Sequence, residues 1–328
     1  MNTANSKRAI IVGHAGQDGS LLLSGLEQQG CEVLGIGRSS TYHTGGGLFS
    51  GRKINIANQG GIKSVVEEFE PQEVYYLAAN HTSSQESEAC SPAVAYQACQ
   101  EVHVTGLLNF LDAIHQSRTT CRLFYASSSL VFSGENGEIQ DENTPLSPKG
   151  FYAITKAQGM LLCKEYREDF GVYASVGILY NHESCLRNPK FLSQKIVQSA
   201  IRIAAGSSEK LIVGDLAARV DWGYAADFVD AFQRIVKLDG SGEFIIATGS
   251  AHTVKKFVEI AFNHFDLNWR EHVVEDNSIL MRKPPVKIGN SAKLQAKTGW
   301  RNTLQFEAFV LQLISDTQAA LEMSQCKN

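Results

Sequence analysis

Nowhere in this chain do apolar residues run on for the roughly 18–20 positions a helix needs to cross a bilayer. The opening "MNTANSKRAIIVG" offers no signal-peptide core either, because its apolar stretch is a strand's length and ends in glycine. No CxxC pair occurs: the seven cysteines (Cys31, Cys90, Cys99, Cys121, Cys163, Cys185 and Cys326) are odd in number and scattered. That pattern predicts reduced, structural thiols in a cytoplasmic protein. The nine histidines show no metal spacing, so no metal is assigned. A formal net charge of −4 gives no electrostatic reason to expect nucleic acid or a membrane surface as partner. Internal repeats and low-complexity segments are also missing. What remains is a globular composition, 43% hydrophobic and 20% charged, in 328 residues, enough for one large α/β domain or two lobes.

Strand-length apolar runs alternate with helical patterns through the first two-thirds. "RAIIVG" (8–13) precedes a helix-like "SLLLSGLEQQG", and "CEVLGIG" (31–37) follows it. Then come "VYYLAA" (74–79), a long helical stretch ending "VTGLLNFLDAIHQS", "RLFYASS" (122–128), the helical "FYAITKAQGMLLCKEYREDFG" and "YASVGILYN" (173–181). Such alternation predicts a doubly wound parallel sheet of the Rossmann type. Beyond about residue 183 the pattern loosens, apart from one further strand, "GEFIIATG" (242–249). We therefore expect a dinucleotide-binding domain over 1–182, with 215–250 partly returning to it, and a smaller substrate lobe over most of 183–328.

"GHAGQDG" spaces Gly13, Gly16 and Gly19 as Gly-x-x-Gly-x-x-Gly between the first strand and the first helix. Glycines there let the backbone turn tightly and approach a pyrophosphate at the helix's positive end. NAD sites place an acid about 20 residues on, to hold the ribose hydroxyls. Here Arg38, followed by Ser39 and Ser40, stands in that position and suits a ribose 2′-phosphate. NADP is the cofactor expected, ahead of NAD.

Tyr152 and Lys156 lie four residues apart at the start of a helical run and share one face. A phenol titrates near pH 10, and an ammonium fixed beside it would favour the phenolate for proton transfer during hydride transfer. The third element is a hydroxyl in "YASSSLVFSG" (125–134), since a buried strand does not tolerate three adjacent serines without partners. Ser128, 24 residues before Tyr152, closes the set.

Glycine loop, strand-end serine and YxxxK in this order resemble the extended short-chain dehydrogenase/reductases that act on nucleotide sugars. Among them the chain is similar along nearly its whole length to the GDP-mannose 4,6-dehydratases. The likeness is carried by "GQDGS" (16–20), "GIGRSS" (35–40), "YYLAAN" (75–80), "SPKGFYAITK" (147–156), "LYNHES" (179–184), "DWGYAADFVDA" (221–231), "FIIATG" (244–249) and "RKPPVKIGNSAKLQAKTGW" (282–300). The resemblance implies that Gly13, Gly16, Gln17, Asp18 and Gly19 line the cofactor pyrophosphate and Arg38 the 2′-phosphate. Asn55 and Ile56 replace an Asp–Leu pair near the adenine, and Leu77, Ala78 and Ala79 run beside the cofactor ribose. Tyr152 and Lys156 become base and helper, with Ser128 orienting the sugar's C4 oxygen. Asn181 and His182, with Lys190 and Lys195, would face the substrate diphosphate or the nicotinamide; Arg282 would grip the nucleotide, and Arg219 is a further substrate-binding candidate. A homodimer or homotetramer is implied as the assembly. His182 reads equally as a hydrogen-bonded scaffold residue, Trp222 and Trp300 read as core, and Asp215, Arg219 and Asp221 read equally as a polar turn.

The family's reaction oxidises C4, removes the C5 proton with a carboxylate as the C6 hydroxyl leaves, and returns the hydride at C6. That carboxylate is a glutamate two places after the catalytic hydroxyl residue, a position held here by Leu130. Of the acids nearby, Glu135, Glu138, Asp141 and Glu142 fall in the following loop. The family's arginine before "DWG" is Val220, with Arg219 one place earlier and so on the opposite face of an extended segment. The loop "TYHTGGGLFSGRK", whose family counterpart takes part in tetramer contacts, is shorter and richer in glycine. The expected activity is therefore NADP-dependent redox at C4 of a nucleotide-activated hexose, GDP-linked, as reduction of a 4-keto sugar. The alternatives are a 4,6-dehydratase with a non-standard base, a C4 epimerase, and a non-catalytic nucleotide-sugar binder, which the intact Tyr152–Lys156 pair argues against.

Overall fold

The computed structural model describes residues 6–38, 41–45, 49, 53–80, 91–134, 139–280 and 285–325. In the first strand, β1 (Arg8–Val12), Ile10 and Val12 face one core while Ala9 and Ile11 face another. Burial on both faces turns the usual strand alternation into a continuous apolar run. β1 pairs in parallel with β2 (Glu32–Ile36) and with β4 (Glu73–Tyr76). The sheet continues in parallel through β5 (Arg122–Ser128), β7 (Tyr173–Leu179) and β11 (Glu243–Ile246). β3 (Thr41–His43) closes the far edge, antiparallel to β2, which gives the order β11-β7-β5-β4-β1-β2-β3.

Helices cover both faces. α2 (Gln59–Phe69), α4 (Gly106–Ser117) and α5 (Phe151–Glu168) supply apolar side chains to one core, while α1 (Gln17–Gln28), α7 (Ala225–Ile235) and α10 (Ala292–Thr298) supply the other. This is a doubly wound α/β sheet of the Rossmann type, and its strand order reverses between β1 and β4. α3 (Pro92–Gln100) runs into α4 through a π-helical turn, Glu101–Thr105. A third core joins α6 (Leu192–Ala204), α8 (Val254–Asn263), α11 (Phe306–Gln325), β9 (Leu211–Val213) and Trp222 of β10 (Arg219–Tyr224). β10 lies between β8 (Asn181–Glu183) and β12 (Ala251–Thr253). Two short pairs complete the chain: β9 with β13 (Val273–Glu275), which follows the single turn α9 (Trp269–His272), and β6 (Ile139–Gln140) with β14 (Ile288–Gly289). No helix among the described residues is long and apolar enough to cross a membrane.

Two strand readings change. "VYYLAA" ends its ladder at Tyr76; Leu77 still donates to the Val12 carbonyl at 2.9 Å, after which the chain is irregular. "GEFIIATG" is shorter than expected and forms the edge of the main sheet, because Phe244 and Ile246 face one core and Ile245 the other. Trp222 and Trp300 are core residues, 4% and 1% exposed. Asp221 is no surface turn: it is 2% exposed and accepts hydrogen bonds from Thr248, Gly249 and Gly289, so it ties the end of β11 to β14.

α1 sits so close to the glycine loop that a Cβ on Gly19 would lie 2.2 Å from the Gly13 carbonyl oxygen. Gly19→Ala is expected to destabilise the protein by about 1–3 kcal/mol, as backbone overpacking does. A lowered urea midpoint with unchanged slope checks this.

Candidate active site

β5 runs through "RLFYASS" and stops at Ser128, whose Oγ accepts the Leu130 amide at 3.3 Å and so starts a 3₁₀ turn, Ser129–Val131. That use of the oxygen's lone pair leaves the hydroxyl proton for another partner. Tyr152, one residue into α5, is hydrogen-bonded to the Ser128 side chain. Lys156, one turn further on, is 1% exposed and donates to the Ala126 carbonyl at 2.8 Å. Its Nζ lies 5.0 Å from the Tyr125 ring centroid and 5.9 Å from that of Tyr152. The serine–tyrosine–lysine set expected from sequence is thus assembled where β5 ends and α5 begins.

The electrostatics differ from the expected phenolate beside an ammonium. Burial raises the Tyr152 phenol to about 12, against smaller lowering effects from the Arg187 charge and the Ser128 hydrogen bond. Burial also brings the Lys156 ammonium down to about 7. With protein groups alone, desolvation is the largest influence on both groups and favours the neutral phenol and the neutral amine.

The pieces "GQD" and "HES" hold each other. Gln17 donates to the His182 carbonyl at 3.1 Å and to Asp18 at 3.0 Å, and accepts from the Ser184 amide and hydroxyl, each at 3.0 Å. His182 contacts the Tyr180 carbonyl through Nδ1 at 2.7 Å and the Asp18 carboxylate through Nε2 at 2.9 Å, and stacks on Phe228. Both partners only accept, so both ring nitrogens carry protons and His182 is an imidazolium. Burial pulls the His182 pKa down, yet the Asp18 charge and these hydrogen bonds raise it overall. Burial likewise pushes Asp18 up, but His182 brings it below the usual carboxylate value. The side chains of Gln17, Asp18 and His182 therefore clasp the glycine loop to β8.

A diphosphate would meet backbone instead. Gly13 has φ +95°, and a Cβ there would lie 2.9 Å from the Ala78 nitrogen; the loops after β1 and β4 touch at the switch point. α1 is capped by Gly16, which provides no side-chain hydrogen bond, and the first amide bonded back to Gly16 is that of Ser20. The amides of the first helical turn precede that bond and fit the pyrophosphate of a dinucleotide. Leu77, Ala78 and Ala79 lie beside this cradle, and Arg38 is exposed just past β2. Asn55 is exposed and forms a local turn with the Ala57 amide, while the Ile56 carbonyl is held by Asn109. Asn181, Lys190 and Arg219 are exposed on β8, the following loop and β10; Lys195 is half-buried on α6, and burial lowers its pKa. Val220 packs on the third core while Arg219 turns outward, as the alternation on an extended segment requires. Arg282 lies outside the described residues.

Three residues escaped the sequence reading. Arg187 has its guanidinium carbon 3.8 Å over the Phe191 ring and its Nε 3.4 Å from Glu183, and its charge bears on Tyr152, Asp18 and His182 together. It stands three places after the serine of "NHES", ahead of the lysines that the sequence pointed to. His103 and Cys99 lie under the site on the helix carrying the π turn, and spacing alone does not reveal them. Of the alternative acids, Asp141 caps its own turn through Asn143 and Thr144, and Glu142 accepts the Ile245 amide at 2.8 Å. Glu135 and Glu138 lie outside the described residues.

A doubly wound sheet, a glycine cradle at its switch point, and a serine–tyrosine–lysine set at the next strand end define an extended short-chain dehydrogenase/reductase. Two solved structures share the fold. UDP-glucose 4-epimerase of Thermus thermophilus in complex with NAD has a TM-score of 0.78 and 22% identity, over 95% of this chain and 99% of that one. RMD from Pseudomonas aeruginosa complexed with NADPH has a TM-score of 0.79 and 19% identity, over 96% and 100%. A model of the family described as GDP-mannose 4,6 dehydratase matches residues 10–313. GDP-mannose 4,6 dehydratase 1 of Arabidopsis thaliana is 31% identical over 94% of this chain and 89% of its own length. The chain belongs to the GDP-mannose 4,6 dehydratase family and is an enzyme of that family.

The clasp predicts a pH signature. The raised His182 pKa gives stability that is full below 6.5 and lost as pH climbs through the folded-state value above it. The lowered Asp18 pKa gives stability present above 3.8 and lost as pH falls through the folded-state value beneath it. The stability gap between wild type and Asp18→Asn is expected to be widest between those two values and to shrink above 6.5, as urea titrations at stepped pH will read.

Proposed function

We propose that this enzyme carries out NADP-dependent redox at C4 of a GDP-linked hexose, as reduction of a 4-keto sugar. The turn after β5 carries the reading: Ser128 meets Tyr152, and two places on stands Leu130, which accepts no proton at any pH. Asp141 and Glu142, the described acids of the following loop, are engaged elsewhere. The exposed Arg38 at the end of β2, with no acid in its place, supports NADP over NAD. Family membership supports the guanine nucleotide, and the third apolar core supports a separate sugar-nucleotide lobe within 183–328. The reduced thiols of Cys31, Cys121, Cys163 and Cys185 support a reducing, cytoplasmic location.

The reduced cofactor would supply a hydride to the carbonyl carbon. Tyr152, protonated through its burial, gives its proton to the carbonyl oxygen, and the Ser128 hydroxyl orients that oxygen. Lys156 ties α5 to β5 through Ala126 and keeps the phenol against Ser128. Arg187 is the charge that eases formation of the phenolate left behind.

Two incubations test this: GDP-4-keto-6-deoxymannose with NADPH, and GDP-mannose with NADP⁺. The first is expected to consume NADPH, and Tyr152→Phe to slow it about 10²–10⁴-fold. Ordinary turnover to the 4-keto-6-deoxy sugar in the second would overturn the reductase reading in favour of dehydration with another base. Binding without turnover in either would favour a non-catalytic binder. Leu130→Glu is expected to gain dehydration of GDP-mannose, read as product absorbance in alkali.

A further inference from the structure

We propose that His103 is a positioning residue for Tyr152, holding the phenol against Ser128 by bracing the first turn of α5 on the loop after β4. The proposal rests on the reading of Tyr152 as proton donor. His103 is 0% exposed and sits in the π-helical turn between α3 and α4. Its Nε2 accepts the backbone N–H of Asn80 at 3.0 Å. A nitrogen that accepts an amide proton carries none of its own, so the ring proton is on Nδ1. Nδ1 therefore donates to the Thr155 hydroxyl at 2.8 Å. That hydroxyl passes the chain on, donating to the Phe151 carbonyl at 2.8 Å and lying 3.1 Å from the Tyr152 carbonyl. A single imidazole thus connects the end of the switch-point loop to the turn that bears the tyrosine.

The same ring fixes the phenol directly. The His103 and Tyr152 rings stand at 86° with centroids 5.1 Å apart, an edge-to-face contact. Tyr152 therefore has its hydroxyl hydrogen-bonded, its backbone carbonyl met by the Thr155 hydroxyl that His103 orients, and its ring set against His103. A π turn interrupts helical regularity and is frequent at functional sites. An apolar residue would fill the same core and leave the Asn80 amide and the Thr155 hydroxyl without these partners. The geometry is that of a brace whose failure would misplace a proton donor without touching either substrate.

Three variants read this: His103→Phe keeps a ring and loses both hydrogen bonds, His103→Gln restores an acceptor and a donor, and His103→Leu removes both features. His103→Phe and His103→Leu are expected to lower kcat about 10²-fold, as a misplaced catalytic group does. KM for the sugar nucleotide and affinity for the dinucleotide should stay within about threefold, and His103→Gln should recover about tenfold of the loss. The 19F resonance of 3-fluorotyrosine placed at 152 should move in His103→Phe and return toward wild type in His103→Gln. Wild-type kcat in His103→Phe would overturn the proposal, as would equal losses in Phe and Gln variants with an unmoved resonance. If wild type shows no turnover at all, the functional reading has failed; the resonance then decides the brace, and an unmoved line in His103→Phe overturns it.

Discussion

The proposed reaction depends on a lysine taken out of water. Lys156 is buried against β5 with its ammonium on the Ala126 carbonyl, one peptide short of the strand's serines. That bond, with the apolar packing of Ala157, Met160 and Cys163, joins α5 to the sheet where Tyr152 meets Ser128. The same burial that makes the lysine a tie makes the tyrosine a weak acid. Two groups whose charges would steady each other in water are both pressed toward their neutral forms by desolvation. A neutral phenol hydrogen-bonded to a serine is the arrangement a carbonyl reduction needs at its start.

A second constraint joins the halves of the molecule. Gln17 spends all four of its amide valences on Asp18, His182 and Ser184, and the His182 imidazolium closes the ring on Asp18. The side chains of Gln17, Asp18 and His182 are thus spent on holding the glycine loop to β8. The clasp also seats the "NHES" segment, and with it Arg187, beside the cradle, so one cation bears on the clasp and on Tyr152 alike.

The sheet was legible because its strands are apolar on both faces and its breaks are glycines; β1, β2, β5 and β7 begin and end close to the runs that announced them. The edge strand β11 read less clearly, since its place comes from packing between two cores that lie far apart in sequence. The reactive set was legible as spacing. The clasp was not: "GQDGS" and "NHES" could be recognised as fragments of a family, but nothing in either says that they bind each other across more than 160 residues. His103 was invisible for the same reason, because its partners at Asn80 and Thr155 belong to different elements. Leu130 is the opposite case, a single residue whose meaning is chemical and needs no fold to state.

The central claim is that chemistry here stays at C4, and the fate of the hydrogen on C5 tests it most directly. GDP-4-keto-6-deoxymannose incubated with the enzyme and deuterated NADPH in heavy water should gain deuterium from the cofactor at C4, with no enzyme-dependent exchange at C5. Enzyme-catalysed deuterium entry at C5, or cofactor label at C6, would reveal a working base beside Leu130 and contradict the account.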